Sequence, residues 1–311
     1  MGGLLRRLDA WQRSRTWLAF PFAVVKKFGD DQAGNLAALI SYYAIFSIFP
    51  LLLSLSTIVG FVLHGHPDWQ DSVKHSAVQN IPMLGKTNPF PLHGSVFALV
   101  FGLVLAIWSG LGVAKSAQTA FDTVYLVPKV DRPKFPWGIL RALRIVAVGG
   151  LGLIATTAVS SAVTSAHSLG DLDFGPGLRV IGIVVAIALN TGLFLVLFRW
   201  LTVRPLTWRG ALPGAVISAV ALQGLQLAST ALIAHKFANA KATYGNFAAV
   251  IVLMSWFYLQ AQVVLLAAEV NVVRQAKLWP RALTDSPSTE ADYRVDDAYV
   301  EEEMRPATQS G

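Results

Sequence analysis

The side chains with the most chemical potential in this 311-residue chain stand in or beside long apolar stretches, where a charge is costly. Ser255, Tyr258, Gln262 and Glu269 recur at spacings of three, four and seven, so they share one face of a helix, with Gln260 off it. Glu269 is the only carboxylate adjoining the last apolar stretch, at the same depth as Lys115 and Arg199 at the ends of two others. A bare carboxylate there would cost several kcal/mol, so pairing is expected. The pair would be either a salt bridge holding one end of a helix bundle, with Lys115 as the natural partner, or a gate or substrate contact. Lys115, Gln118 and Asp122 fall on one side of a helical extension, where Asp122 neutralises Lys115 or another basic neighbour, or belongs to a solvated face. Asn35, Tyr42 and Phe46 form a stripe on the first apolar stretch, and Gln223, Gln226 and Thr230 form one on the fifth. Together these stripes predict a polar crevice among the first, fifth and sixth helices, with interhelical packing as the alternative for each one.

Other chemistry finds less support. The chain has no cysteine, which excludes disulfides, thiol catalysis and cysteine-based zinc sites. Of the six histidines, His64, His66, His75 and His93 fall in one loop, in a spacing too weak for a metal site; His167 and His235 sit at helix ends. The acids Asp9, Asp30, Asp31, Asp122 and Asp131 are scattered with no soluble domain to converge them, which disfavours RNA hydrolysis. No Gly-rich phosphate loop followed by Lys and Ser or Thr occurs. No catalytic, cofactor or metal ligand set is expected.

The elements that carry these residues are read from charge. Leu36–Leu63, Ser95–Ala114, Ile145–Ala166, Val180–Phe198, Gly210–Ala234 and Asn246–Ala268 contain no Asp, Glu, Lys or Arg. Each is close to the ~20 residues a helix needs to cross hydrocarbon. The chain is 54% apolar and 14% charged, against about 25% charged in soluble domains. The expected fold is all-α: a polytopic membrane protein with six transmembrane helices and an N-terminal interfacial amphipathic helix. Residues 1–34 form the basic amphipathic segment, which Pro21 breaks or kinks; residues 35–272 form the membrane domain, with spans 36–63, 95–114, 145–166, 180–198, 210–234 and 246–268. Pro50 kinks the first span by removing a backbone donor. Ala37, Ser41 and Ala44, and likewise Gly152, Thr156 and Ser160, form small faces for close helix packing. Residues 68–80 could form a short surface helix, residues 236–245 a short outer connection, and residues 280–311 a disordered acidic tail.

The net charge of +7 suggests nucleic acid until its distribution is read. With alternating crossings, one side collects the arginines and lysines of the N-terminus, of 115–144, of 199–209 and of 274–305. The other holds only Lys74, Lys86, Arg179, Lys236 and Lys241. The positive-inside rule places both termini in the cytoplasm. The expected partners are membrane lipids, through anionic headgroups at the cytoplasmic face, and not nucleic acid. A homo-oligomer or an envelope-assembly partner is left open.

The segment from Asn35 to Leu53 resembles the signature first helix of the YihY/virulence factor BrkB family, formerly called ribonuclease BN-like. Further matches are Trp108-Ser-Gly-Leu-Gly running into Ala120-Phe-Asp-Thr-Val-Tyr125, and Trp208-Arg-Gly-Ala-Leu-Pro-Gly-Ala215. The last are Tyr244-Gly-Asn-Phe-Ala-Ala-Val, Trp256-Phe-Tyr-Leu and Leu266-Ala-Ala-Glu269-Val-Asn271. The likeness covers roughly residues 15–280. Asp122 stands where many members have Asn, and Ala267-Ala268 where a Gly-Ala pair is usual. The resemblance implies a multi-pass inner-membrane protein with six helices and both termini inside, similar to the YhjD branch linked to export of lipid A precursors. It implies transporter or flippase-like handling of a lipid or amphipathic envelope precursor, with a non-catalytic scaffold or regulator of envelope assembly as the alternative. The family's ribonuclease label is read as a misassignment, so no enzyme activity is expected.

Overall fold

Six of the helices follow directly from the apolar stretches. A computed structural model describes residues 9–62, 96–168, 176–244, 247–283 and 288–303. The labelled helices are α1 (Thr16–Asp30), α2 (Ala33–Val62), α3 (Val96–Val124), α4 (Trp137–Ser168), α5 (Pro176–Leu201), α6 (Trp208–Tyr244), α7 (Ala248–Ala276) and α8 (Glu290–Glu303). Residues 9–13 add a short helical turn, and no strand occurs among the described residues. Each charge-free stretch falls, to within two residues at its ends, inside one helix of α2–α7. Among the described residues, three parts of these helices are long and apolar enough by length and composition to cross a membrane: Val100–Val124, Gly182–Leu201 and Val250–Ala276.

Helices α2 to α7 pack each on the next, and α7 returns to pack on α2, while α1 lies against α7 and α2. The tightest core gathers at one end of this ring, where α3 and α5 finish, α6 starts and α7 finishes. Phe121, Val124, Phe198, Leu265, Val273 and Val295 are fully buried there, and the Phe121 and Phe198 rings meet edge-on at 5.0 Å. Away from that end the helices present large apolar side chains outward, among them Trp108 at 77% and Leu151 at 67% exposure. Water would penalise such a surface; hydrocarbon does not.

Several local expectations need correction. Pro21 lies within α1, and the chain break falls at Ser14–Arg15 instead. The kink expected at Pro50 would bend a continuous helix, since α2 runs through Pro50 to Val62, with the Ser54 hydroxyl donating to the Pro50 carbonyl at 2.8 Å. Helix α6 continues to Tyr244, so most of 236–245 is helix and not a connection. The segment at 68–80 and the four loop histidines lie outside the described residues.

The acidic tail is the largest departure. Residues 290–303 form α8, docked on the body by buried Ala291 and Val295. Thr289 and Asp292 cap it reciprocally: the Asp292 carboxylate accepts from the Thr289 amide at 2.9 Å, and the Thr289 hydroxyl accepts from the Asp292 amide at 3.2 Å. Asp292 also accepts from Arg281 Nε at 2.9 Å and from the Ala282 amide at 3.0 Å, with Lys26 Nζ at 3.3 Å. Acidic residues therefore fold here because the body supplies the cations and amides they need.

Small residues set the closest approaches. Asn271 of α7 accepts the Gly214 amide at 2.8 Å and donates to the Ala211 carbonyl at 3.3 Å and to the Tyr125 hydroxyl at 3.2 Å. One turn later Gln275 donates to the Gly210 carbonyl at 3.1 Å. A Cβ on Gly214 would lie 2.4 Å from the Ala267 carbonyl oxygen, so only glycine fits this crossing.

Candidate functional site

Glu269 is fully buried near the end of α7, and its partner is Lys27 of α1, whose ammonium stands 3.1 Å from Glu269 Oε2. The same ammonium donates to Asp31 Oδ2 at 2.5 Å and to the Val124 carbonyl at 2.9 Å. Tyr299 of α8 donates its hydroxyl to the other Asp31 oxygen. One lysine thus gathers the ends of α1, α3 and α7, and through Asp31 reaches α8. Lys27 and Asp31 are one helical turn apart at the end of α1, a spacing that puts them side by side. Gln32, at φ 51°, then turns the chain into α2.

Burial alone would lower the Lys27 pKa, but the charges of Glu269 and Asp31 outweigh it and hold it above the ordinary value. The ammonium therefore stays charged, facing two carboxyl groups. Among the described residues Glu269 makes no hydrogen bond of good geometry through either oxygen; its polar contact is the Lys27 ammonium at 3.1 Å. Separating α1 from α7 would strand buried ions, so these groups tie the position of α1 to the end of the bundle.

Lys115 is not the partner of Glu269. It is exposed on α3, nine residues before Val124, and two and a half helical turns place the two on opposite sides of the helix. Lys115 instead lines a cavity of about 250 Å³ with Gln118, Thr119, Asp122, Arg132, Pro133, Phe135, Gly138, Ile139 and Arg141. Asp122 is buried in its wall, accepts the Val203 amide at 2.9 Å, and lies 3.7 Å from Arg141 Nη1. Its basic neighbour is therefore Arg141. Arg199 serves the α5–α6 turn, where it donates to the Leu206 carbonyl and stacks 4.3 Å over the Trp208 ring.

The remaining polar stripes divide between packing and surface. Ser41 donates to the Met254 carbonyl of α7 at 2.7 Å, and Ala37 is buried, so the small face of α2 is the packed one. Asn35 and Tyr42 stand on its exposed face; Asn35 bonds Gln32 at 3.2 Å, and the Tyr42 ring lies 4.7 Å from that of Phe46. Gln262 donates to the Tyr258 hydroxyl at 2.9 Å, and a Cβ on Gly34 of α2 would stand 3.6 Å from that hydroxyl. Gln223 is half-buried and Gln226 exposed on α6, which packs chiefly on α5 and α7. The Thr230 side chain, like those of Thr156 and Ser160, lies outside the described residues. Gly152 does receive a neighbour: a Cβ there would collide with Leu193 of α5.

Sequence reasoning missed Lys27, Asp31, Tyr299 and Asn271. The spacing of Lys27 and Asp31 was a usable signal. The Thr289-Glu-Ala-Asp292 capping pattern, followed by Val295 and Tyr299 at helical spacing, would have revealed α8. No local pattern pairs Lys27 with Glu269, which are far apart in the chain.

Comparison with known proteins places residues 24–291 on the family described as Virulence factor BrkB. A UPF0761 membrane protein of Acinetobacter baylyi is 23% identical over 87% of the chain and 65% of its own length. One from a Psychrobacter species is 25% identical over 90% of the chain and 53% of its own length. An uncharacterized protein of Dickeya dadantii is 24% identical over 78% of the chain and 79% of its own. The chain thus spans between half and two-thirds of the length of the first two relatives. No solved structure matches.

Proposed function

The chain belongs to the virulence factor BrkB family of membrane proteins, and we propose that it crosses the inner membrane six times and moves or handles a lipid or amphipathic envelope precursor. Both termini lie in the cytoplasm in this reading, because the basic residues gather at the end that carries α1 and α8. No catalytic step is proposed, and ribonuclease activity is not part of it.

The observation that carries the reading is the group of buried ions beneath α1. Such ions stabilise a fold weakly compared with well-packed apolar side chains, so stability alone gives little reason to bury them. They suit a joint with two arrangements: closed with the one ammonium bridging both carboxyl groups, or open with water or an anionic headgroup taking over from a carboxyl group. The joint ties α1, on the surface of the ring, to the end of α7, as a cytoplasmic gate requires. A scaffold acting through a free acidic tail is disfavoured, because α8 is docked through Asp292, Glu302 and Glu303, which pair with Lys26, Arg281, Arg132 and Lys129 of the body.

Reconstitution into liposomes with fluorescent phospholipids tests the proposal. Exchange between leaflets well above that of empty vesicles, and altered when Glu269 is replaced by Gln, is the expected result. Exchange equal to that of empty vesicles across anionic and zwitterionic lipids would refute it.

A further inference from the structure

We infer that the cavity lined by Lys115, Gln118 and Arg141 binds the phosphate group of a membrane lipid. The cavity, of about 250 Å³, is built from the cytoplasmic part of α3, the loop after it and the start of α4. Gln118 is more than nine-tenths buried, and its Nε2 has no hydrogen-bond acceptor among the described residues. Arg141 Nη2 is likewise buried and without an acceptor, although its Nε donates to the Trp200 carbonyl at 2.9 Å. Buried donors left empty are costly, and two of them on one cavity wall specify an acceptor from outside the chain.

The charges specify its sign. Arg141 Nη1 faces Asp122, and Arg132 is held by Glu302 at 2.6 Å, so two of the three cations on the wall are balanced. Lys115 has no carboxylate partner among the described residues and adds a net positive charge beside the two empty donors. One net positive charge with convergent N–H donors matches a phosphodiester, which carries one negative charge and several acceptor oxygens. Asp122 does not repel such a group strongly, because it is neutralised by Arg141 and bonded to the Val203 amide.

The helix above the cavity specifies the rest of the ligand. Val104, Trp108, Lys115 and Asp122 fall on one face of α3 by helical spacing. Val104 is 56% exposed and Trp108 77%, so an uncovered apolar stripe runs from the membrane part of α3 into the cationic cavity. An amphiphile lying along α3 would place its acyl chain on that stripe and its phosphate at Lys115 and Gln118. Free phosphate would gain nothing from the stripe.

The inference deepens the function proposed above by naming a phosphate-bearing amphiphile, but it concerns binding alone, which leaflet exchange does not report. The test is binding of a short-chain fluorescent phosphatidylglycerol to the full-length purified chain in detergent, with phosphatidylcholine and inorganic phosphate as competitors. Saturable binding that Lys115→Glu and Gln118→Leu each weaken by about tenfold is expected, with inorganic phosphate competing only at far higher concentration. Lys115 is exposed, and Gln118→Leu removes an unmet donor at near-constant volume, so both variants should keep the wild-type melting temperature. Wild-type binding in both correctly folded variants would overturn the site. Displacement by inorganic phosphate as readily as by phosphatidylglycerol would overturn the lipid assignment and leave a free-anion site.

Discussion

Replacing Lys27 with Met removes the one cation between Asp31 and Glu269. Both carboxyl groups and Lys27 have fully buried side chains, so no water is at hand to take over the interaction. The Val124 carbonyl also loses its 2.9 Å donor. Removing one partner of a buried ion pair costs about 3–5 kcal/mol, because the other is left uncompensated. The loss is expected at the upper end, since one lysine serves two carboxyl groups here. A second change, Glu269→Gln, in the Lys27→Met background should recover a large part of it by removing one stranded ionisable group. The assay is a double-mutant cycle of detergent unfolding, read by helix signal. Lys115→Met is the internal control: exposed and without a carboxylate partner among the described residues, it should change stability by less than about 0.5 kcal/mol. A cost below about 1 kcal/mol for Lys27→Met, or a Lys115→Met cost equal to it, would refute the pairing.

Three further outcomes follow from the packing and the caps. Gly214→Ala should destabilise by about 1–3 kcal/mol or more, measured in the same unfolding assay, because its Cβ would meet the backbone oxygen of Ala267. Asn271→Ala should cost about 1–3 kcal/mol by leaving the Gly214 amide buried without its acceptor. Burial would raise the Asp292 pKa, but bonds from Thr289, Ala282 and Arg281 outweigh it and hold the group well below the usual carboxylate range. Its contribution is therefore present above the ordinary value near about 4 and lost only as pH falls through the lowered one. Hydrogen exchange should find 290–303 protected at pH 5, and Asp292→Asn should expose the segment at neutral pH.

The long apolar helices were legible because a bilayer-sized stretch obeys a one-dimensional rule: no charge for about 20 residues. That rule found α2 to α7 but not their full lengths, because polar residues extend several of them well beyond the charge-free stretch, as from Lys115 to Val124. It was silent about α8, since acidic composition reads as solvated until the cations it meets are known. Of the candidate site, the need to pair Glu269 was legible from its cost in an apolar setting. The identity of the partner was not. Lys115 and Lys27 are equally suitable by charge and depth, and only the rotation of α3 and the docking of α1 choose between them. Lys115 and Asp122 were singled out by spacing, but the empty donors of Gln118 and Arg141 that make their cavity a candidate site exist only in three dimensions.

Which ends of the helices face the cytoplasm is directly measurable, because the chain has no cysteine. Single cysteines in place of Arg274, at the basic end, and His75, between α2 and α3 in the chain, can be probed with a membrane-impermeant thiol reagent on spheroplasts and on inverted vesicles. Labelling of position 75 only from outside and of position 274 only from the cytoplasmic side is the predicted result. Labelling of both from the same side would contradict the crossing pattern, and with it the cytoplasmic placement of the Lys27–Glu269 joint and of the phosphate cavity.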